Sequence, residues 1–379
     1  MAGIEPFHVM ELMAKARALE AQGRDIVHME VGEPDFPTPQ PIVAAAQRFI
    51  ATGDIHYTHA LGLPQLREAI ARFYQDRYRV AVAPERIVVT SGASGALLLA
   101  LGVLINPGDE VLMADPGYPC NRHFVRAFEG RARPIPVSAS TAYQPAAEHV
   151  AAHWSPRSRA LLVATPSNPT GTPIELAQLA ALHQTVGKLG GTLLVDEIYH
   201  GLTYGYDAET ALAIGDDLFV INSFSKYFGM TGWRLGWLVA PRGYVREIEK
   251  LAQNLFISPS APAQYAALAA FGADTIEILE TRRAEFRQRR DTLLPGLRAL
   301  GFTVASEPTG AFYVYADSSR HAKDSFAFAD RLLAEAGVAA TPGRDFGGNA
   351  PERHMRFAYT TGRERIDEGL RRMKAFLGA

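Results

Sequence analysis

The chain has 379 residues, enough for one large domain and a smaller one, each with its own core. Its 47% hydrophobic and 21% charged content is that of a globular protein, and a net charge of -2 with no block of like charges excludes an electrostatic nucleic-acid binder, which needs a basic face. Cys120 is the single cysteine, which excludes an internal disulfide and a multi-cysteine metal site and fits a reducing cytoplasm; no metal site is expected.

Residues 1–15 lack a basic flank followed by a long apolar run, so no secretory signal is expected. The apolar run from Ala96 to Ile105 stops at Asn106-Pro107-Gly108, short of the roughly 20 residues that span a bilayer. Short apolar runs then alternate with amphipathic stretches, the pattern of an α/β fold. Strands are expected at Ile87–Thr90, Glu110–Ala114, Leu161–Ala164, Thr192–Asp196, Leu218–Ser223 and Leu235–Ala240, with helices such as Ser94–Ile105 and Ile174–Leu189 between them. Continuous runs such as Leu193-Leu194-Val195 predict strands buried on both faces of a mostly parallel sheet.

From about residue 275 to 300, Ile276, Leu279, Phe286, Leu293 and Leu297 recur at helical spacing. The arginines there, Arg282, Arg283, Arg287, Arg289 and Arg290, alternate with Glu280, Glu285 and Asp291 and read as a solvated helix face. Beyond lie strands at Ala311–Ala316 and His354–Ala358 and helices at Ser325–Ala336 and Glu364–Phe376. The chain thus divides into an N-terminal arm with part of the small domain (1–45), a large domain (46–280) and a small α+β domain (281–379).

Four motifs sit at or just past strand ends, where open α/β sheets bind ligands. Thr90-Ser91-Gly92-Ala93-Ser94-Gly95 is a small-residue turn opening a helix, able to offer N–H groups to an anion or simply to pack tightly. Pro166-Ser167-Asn168-Pro169-Thr170-Gly171 is made of turn formers, and a tight loop alone would account for it. Asp196-Glu197-Ile198-Tyr199 closes an apolar strand with a carboxylate, which is costly without a partner unless it caps the next helix. Ser223-Phe224-Ser225-Lys226 puts a lysine directly after an apolar strand; desolvated, it becomes a nucleophile able to capture a carbonyl, and otherwise it is a surface residue in a loop.

Taken in order, these motifs resemble those of the class I/II aminotransferases, pyridoxal-phosphate (PLP) enzymes of the aspartate-aminotransferase fold. The resemblance runs from Val31-Gly32-Glu33-Pro34-Asp35 to Met355-Arg356-Phe357 and includes Tyr57, Asp115-Pro116-Gly117-Tyr118-Pro119 and Met230-Thr231-Gly232-Trp233-Arg234. It implies fold type I: a large domain with a mostly parallel seven-stranded sheet flanked by helices, plus a smaller α+β domain. It also implies that Lys226 anchors the cofactor and moves protons, that Asp196 pairs with the ring nitrogen, and that Asn168 and Tyr199 bind the ring oxygen. By the same resemblance Tyr118 stacks on the ring, while Gly92, Ala93, Ser94, Ser223, Ser225 and Arg234 meet the phosphate. Arg356 binds the substrate α-carboxylate beside Gly32 and Asn168, and Tyr57 reaches the phosphate of a neighbouring subunit, implying a homodimer.

The activity so implied is transfer of an amino group from an L-amino acid to a 2-oxo acid, with 2-oxoglutarate the expected acceptor and a ping-pong route. A carbon–sulfur β-lyase on the same fold is the alternative. A non-catalytic PLP-binding regulator would carry an extra DNA-binding module, and because the resemblance begins near the N-terminus none is expected. Phe7, His8, His200 and Tyr313 could line the pocket, with packing the expected role of each; Arg353 is read as surface, and Arg344 as either a surface residue or a contact for a second substrate carboxylate.

Overall fold

The structure, a computed structural model, describes residues 8–378, so Phe7 lies outside the described residues. Its helices are α1 (His8–Glu20), α2 (Gln40–Ala51), α3 (Pro64–Tyr78), α4 (Gly92–Leu104), α5 (Cys120–Ala127), α6 (Ala147–His153), α7 (Leu176–Lys188), α8 (Arg242–Leu255), α9 (Ala261–Ala267), α10 (Ala273–Ala299), α11 (Ser325–Arg331) and α12 (Arg363–Leu377). The strands are β1 (Val27–His28), β2 (Ile87–Thr90), β3 (Glu110–Asp115), β4 (Arg131–Pro136), β5 (Ser158–Ala164), β6 (Thr192–Asp196), β7 (Phe219–Ser223), β8 (Gly236–Val239), β9 (Tyr313–Asp317), β10 (Val338–Ala339), β11 (Thr341–Pro342) and β12 (His354–Ala358).

Seven strands form one sheet in the order β2-β8-β7-β6-β5-β3-β4. Only β8 runs against its neighbours. The register pairs Gly236 with both Thr90 and Ser223, so the ends of β2 and β7 and the start of β8 meet at one edge. The carboxyl ends of β3, β5 and β6 lie along that same edge. Leu193, Leu194 and Val195 are buried, with helices covering both sheet faces. Each such side chain removed from water contributes on the order of 1.5–3 kcal/mol, which fixes the sheet and with it the row of strand ends.

A second sheet, β11-β12-β9, is antiparallel and carries Arg356 on β12. The early segment joins it in space: β1 pairs in parallel with β10, Val27 opposite Val338. Helix α10 continues through residue 280, where the sequence places a boundary.

One expectation on α10 is corrected. Arg289 is not solvated: it is only 4% exposed, donates to Asp35 (2.7 Å) and Glu285 (3.1 Å), and lies 4.7 Å over the Phe36 ring. The guanidinium keeps its charge indoors because two carboxylates and an aromatic face replace its water. Arg353 is exposed and pairs with Asp317. Among the described residues no helix is long and apolar enough to cross a membrane, and no group of three or more His, Cys, Asp or Glu side chains could hold a metal ion.

Candidate active site

A cavity of about 340 Å³ opens at the shared strand edge. Gly32, Ala93, Ser94, Tyr118, Asn168, Asp196, Tyr199, Ser223, Ser225, Lys226, Arg234 and Arg356 all line it. Residues up to 324 positions apart in sequence are gathered there: most follow or precede strands of the large sheet that meet at this edge, while Gly32 comes from the segment after β1 and Arg356 from β12 of the second sheet.

At one end lies a cradle for an anion. Helix α4 begins at Gly92 with no side-chain cap and no acidic residue in its first turn, so its leading N–H groups and positive dipole end have no partner of that kind. Gly92 has φ +69°, and a Cβ there would come within 2.8 Å of an Arg234 guanidinium nitrogen. The glycine thus permits both the backbone turn and the close approach of Arg234. Arg234 is itself held by a bond to the Thr231 carbonyl (3.1 Å). The Ser223 hydroxyl lies 3.0 Å from that of Ser225 and 3.1 Å from the Leu235 carbonyl, so both serines present their oxygens from a fixed turn.

In the middle are the amine and the carboxylate. Lys226 Nζ donates to the Gly32 carbonyl (2.6 Å) and sits 5.6 Å from the Phe312 ring centre. Burial lowers its pKa to about 8, against the opposing field of Glu33. Asp196, 5% exposed, accepts from the Ile198 N–H (3.0 Å), and burial raises its pKa to about 7. Among the described residues it has no ion-pair partner, so a cation placed beside it would relieve the cost of its burial. Tyr199 is buried with its hydroxyl 3.0 Å from that of Tyr313, and its pKa lies well above the usual value because of that burial. Tyr118 borders the cavity, and burial pushes its pKa up too.

At the far end Arg356 is 3% exposed. It donates to Asn168 Oδ1 (3.0 Å) and the Glu30 carbonyl (2.7 Å), and stacks over Tyr313 (4.3 Å) and Phe346 (4.9 Å). Its Nε is buried without a partner, and among the described residues no carboxylate lies within ion-pair distance of it. A buried, uncompensated guanidinium is a site for an anionic ligand.

Two expected residues stand apart from the cavity wall. Gly92 lies behind it, at the base of the cradle. Tyr57 is 81% exposed and lines a separate surface hollow with Phe49, His56 and Tyr265. His200 is buried behind the site beside Glu197, with burial lowering its pKa to about 3. Arg344 is off the cavity wall and stacks over Phe326.

The cavity is also lined by Thr231 and Glu33, which lie within the motifs but were given no role, and by four residues of α1 that no motif includes: Val9, Met10, Met13 and Arg17. Tyr313, read as packing, is the hydrogen-bond partner of Tyr199 and the ring beneath Arg356. The only sequence signal for these was the helical spacing of Val9, Met13 and Arg17, which shows a shared face and not what it faces.

Residues 24–373 match the family model described as aminotransferase class I and II. The valine–pyruvate aminotransferase of Mycobacterium tuberculosis is 39% identical over 99% of this chain and 97% of its own length. The aspartate/prephenate aminotransferase of Thermus thermophilus is 35% identical over 99% and 97%. Among solved structures, an aminotransferase from M. tuberculosis superposes with a TM-score of 0.96 at 39% identity, covering 100% of this chain and 98% of that one. The T. thermophilus aspartate aminotransferase solved with maleate gives 0.93 at 34%, covering 99% and 97%. With the family model spanning nearly the whole chain, the protein belongs to the class I and II aminotransferases and is a PLP-dependent aminotransferase of fold type I.

Proposed function

We propose that this enzyme moves an amino group from an L-amino acid to a 2-oxo acid by a ping-pong route, with 2-oxoglutarate as an acceptor, at the cavity described above. The observation that carries the assignment of the site is the joint presence of a buried amine and a buried, unpaired carboxylate between an anion cradle and an uncompensated arginine. That donor set fits PLP group by group. The cradle of Gly92, Ala93, Ser94, Ser223, Ser225 and Arg234 would hold the phosphate. Asp196 would hold the ring nitrogen, Asn168 and Tyr199 the ring oxygen, and Tyr118 the ring face. Bound there, PLP supplies an aldehyde that Lys226 can capture and a ring that draws electrons from the carbon bearing the amino group.

Each remaining part follows from the chain's own groups. With a pKa of about 8, Lys226 is unprotonated in roughly one molecule in ten at pH 7, far more than a solvent-exposed lysine. It can therefore act as nucleophile and, once released, as the base that takes the proton from the substrate α-carbon and returns it. Tyr199 keeps its proton and is aimed by Tyr313. Arg356 binds the α-carboxylate and so fixes which bond at the α-carbon faces Lys226.

A homodimer goes with this reading. Ile50, Ile55, Tyr57, Leu255, Ile257 and Tyr265 are large apolar side chains left exposed, and burying them against a second copy would remove them from water. The proposed division into residues 1–45, 46–280 and 281–379 is supported by the β1–β10 pairing, and a cytoplasmic setting by the lone cysteine. The test is direct. Coenzyme-loaded protein given an L-amino acid and 2-oxoglutarate should yield glutamate and the matching oxo acid, and Lys226→Ala should yield neither. Absence of glutamate across all common donors would refute the proposal.

A further inference from the structure

With the α-carboxylate assigned to Arg356, the substrate side chain must face another wall of the same cavity, and α1 supplies one. Val9, Met13 and Arg17 lie four residues apart on one helix face, with Met10 beside them, and all four line the cavity. The inner part of that face is apolar, and Arg17 is exposed at its outer end. The basic groups deeper in the cavity already have roles, in the anion cradle, at the amine and beneath the carboxylate.

The wall is not a loose arm. Asp345, 1% exposed, accepts from the N–H groups of His8 and Val9 (both 3.1 Å), pinning the start of α1. The next residue, Phe346, carries the ring beneath Arg356, and its carbonyl accepts from the Gly117 N–H (2.8 Å), in the segment leading to Tyr118. Asp115 in turn accepts from the N–H groups of Gly348 and Asn349 (3.0 and 3.3 Å). One short turn, residues 343–349, therefore sets the spacing between the apolar face of α1 and Arg356.

We infer that Val9, Met10 and Met13 form the side-chain subsite and that the enzyme prefers amino donors with apolar side chains, of the leucine, methionine and valine type, over aspartate. The inference rests on the aminotransferase reading of the site. A methylene packed on that wall is worth about fourfold, the equivalent of about 0.8 kcal/mol. A carboxylate as close to the α-carbon as that of aspartate loses its water against this wall without gaining a partner, and Glu33, on the same cavity, adds repulsion, whereas the longer 2-oxoglutarate extends toward Arg17 at the outer end. Methionine side chains re-pack at little cost, which suits a pocket that must accept donor and acceptor in turn. Asp345 is a positioning residue that holds this wall in place.

Leucine and aspartate test the point, since their side chains share a shape and differ in polarity. With coenzyme-loaded enzyme, kcat/KM for leucine should exceed that for aspartate at least tenfold, and Met13→Arg should shrink or reverse the ratio. Asp345→Asn should raise KM for leucine more than for alanine, which is too short to reach the wall. Calorimetry with the amine-free analogues gives a readout independent of turnover: 4-methylpentanoate should bind at least tenfold more tightly than succinate. Equal use of the two donors, or an aspartate preference abolished by Arg17→Ala, would overturn the inference while leaving amino transfer intact. If no donor reacts, the aminotransferase reading of the site fails, and the two analogues still decide the character of the wall.

Discussion

Replacing Arg356 separates binding chemistry from folding. The guanidinium is 3% exposed, has no carboxylate within ion-pair distance among the described residues, and leaves its Nε unpartnered. A substrate carboxylate would meet this group already desolvated and fixed by Asn168, Glu30 and two aromatic faces. Removing one partner of such a buried charged pair costs about 2–5 kcal/mol, or roughly 30- to 5000-fold in kcat/KM. Arg356→Met should fall in that range, with KM for the amino acid rising. Arg356→Lys keeps the charge but loses the planar fork, and should fall between it and the parent. Stability should behave differently. Methionine removes an uncompensated buried charge but forfeits the bonds to Asn168 and Glu30, each worth about 1 kcal/mol. These effects oppose, so Tm should move only by a few degrees. Steady-state kinetics and thermal melts of the three proteins make the measurement. A change in kcat/KM below about threefold, or a loss explained entirely by unfolding, would refute the reasoning.

Other consequences follow from single contacts. In Gly32→Ala the new methyl collides with the Tyr313 hydroxyl and displaces it from Tyr199; the clash and lost bond together cost about 2–4 kcal/mol, read as a fall in kcat/KM of at least tenfold. His28 lies between Glu30 (2.7 Å) and Glu20 (3.0 Å), two acceptors that only the imidazolium can satisfy together, and the bond to Glu30 foremost raises its pKa to about 9. Because the folded value exceeds the unfolded 6.5, the stability it contributes is complete below about pH 6.5 and fades as pH rises through about 9. Urea melts of parent and His28→Gln should therefore differ most at pH 6 and converge near pH 10, and a pH-independent difference would count against the pairing. In coenzyme-free protein, the rate at which Lys226 captures added PLP should rise with pH through about 8; a midpoint near 10.5 would mean the amine is not desolvated.

The sequence made the large sheet legible because buried parallel strands are written as unbroken apolar runs, and β6 and β7 are of that kind. Strand β4 was invisible for the opposite reason: it is an edge strand, largely exposed, with Pro134 and Pro136 in it. The motifs at strand ends were readable because catalytic residue types cluster within a few positions there. Arg289 was misread because a charged helix face looks the same whether water or Asp35 and Phe36 lies opposite. The underside of α1 showed only a helical spacing, and Tyr313 only its nearness to the pocket, with nothing to mark what either faces. Their roles come from contacts across long stretches of chain, such as that of Asp345 with Val9, that no pattern along the sequence encodes.

The central claim is that Lys226 is the covalent anchor of PLP. Borohydride reduction of the coenzyme-loaded protein, followed by peptide mass analysis, tests it most directly. The predicted result is the coenzyme's mass fixed on the peptide containing Lys226 and lost in Lys226→Ala. Coenzyme fixed on another lysine, or bound with none fixed, would contradict it.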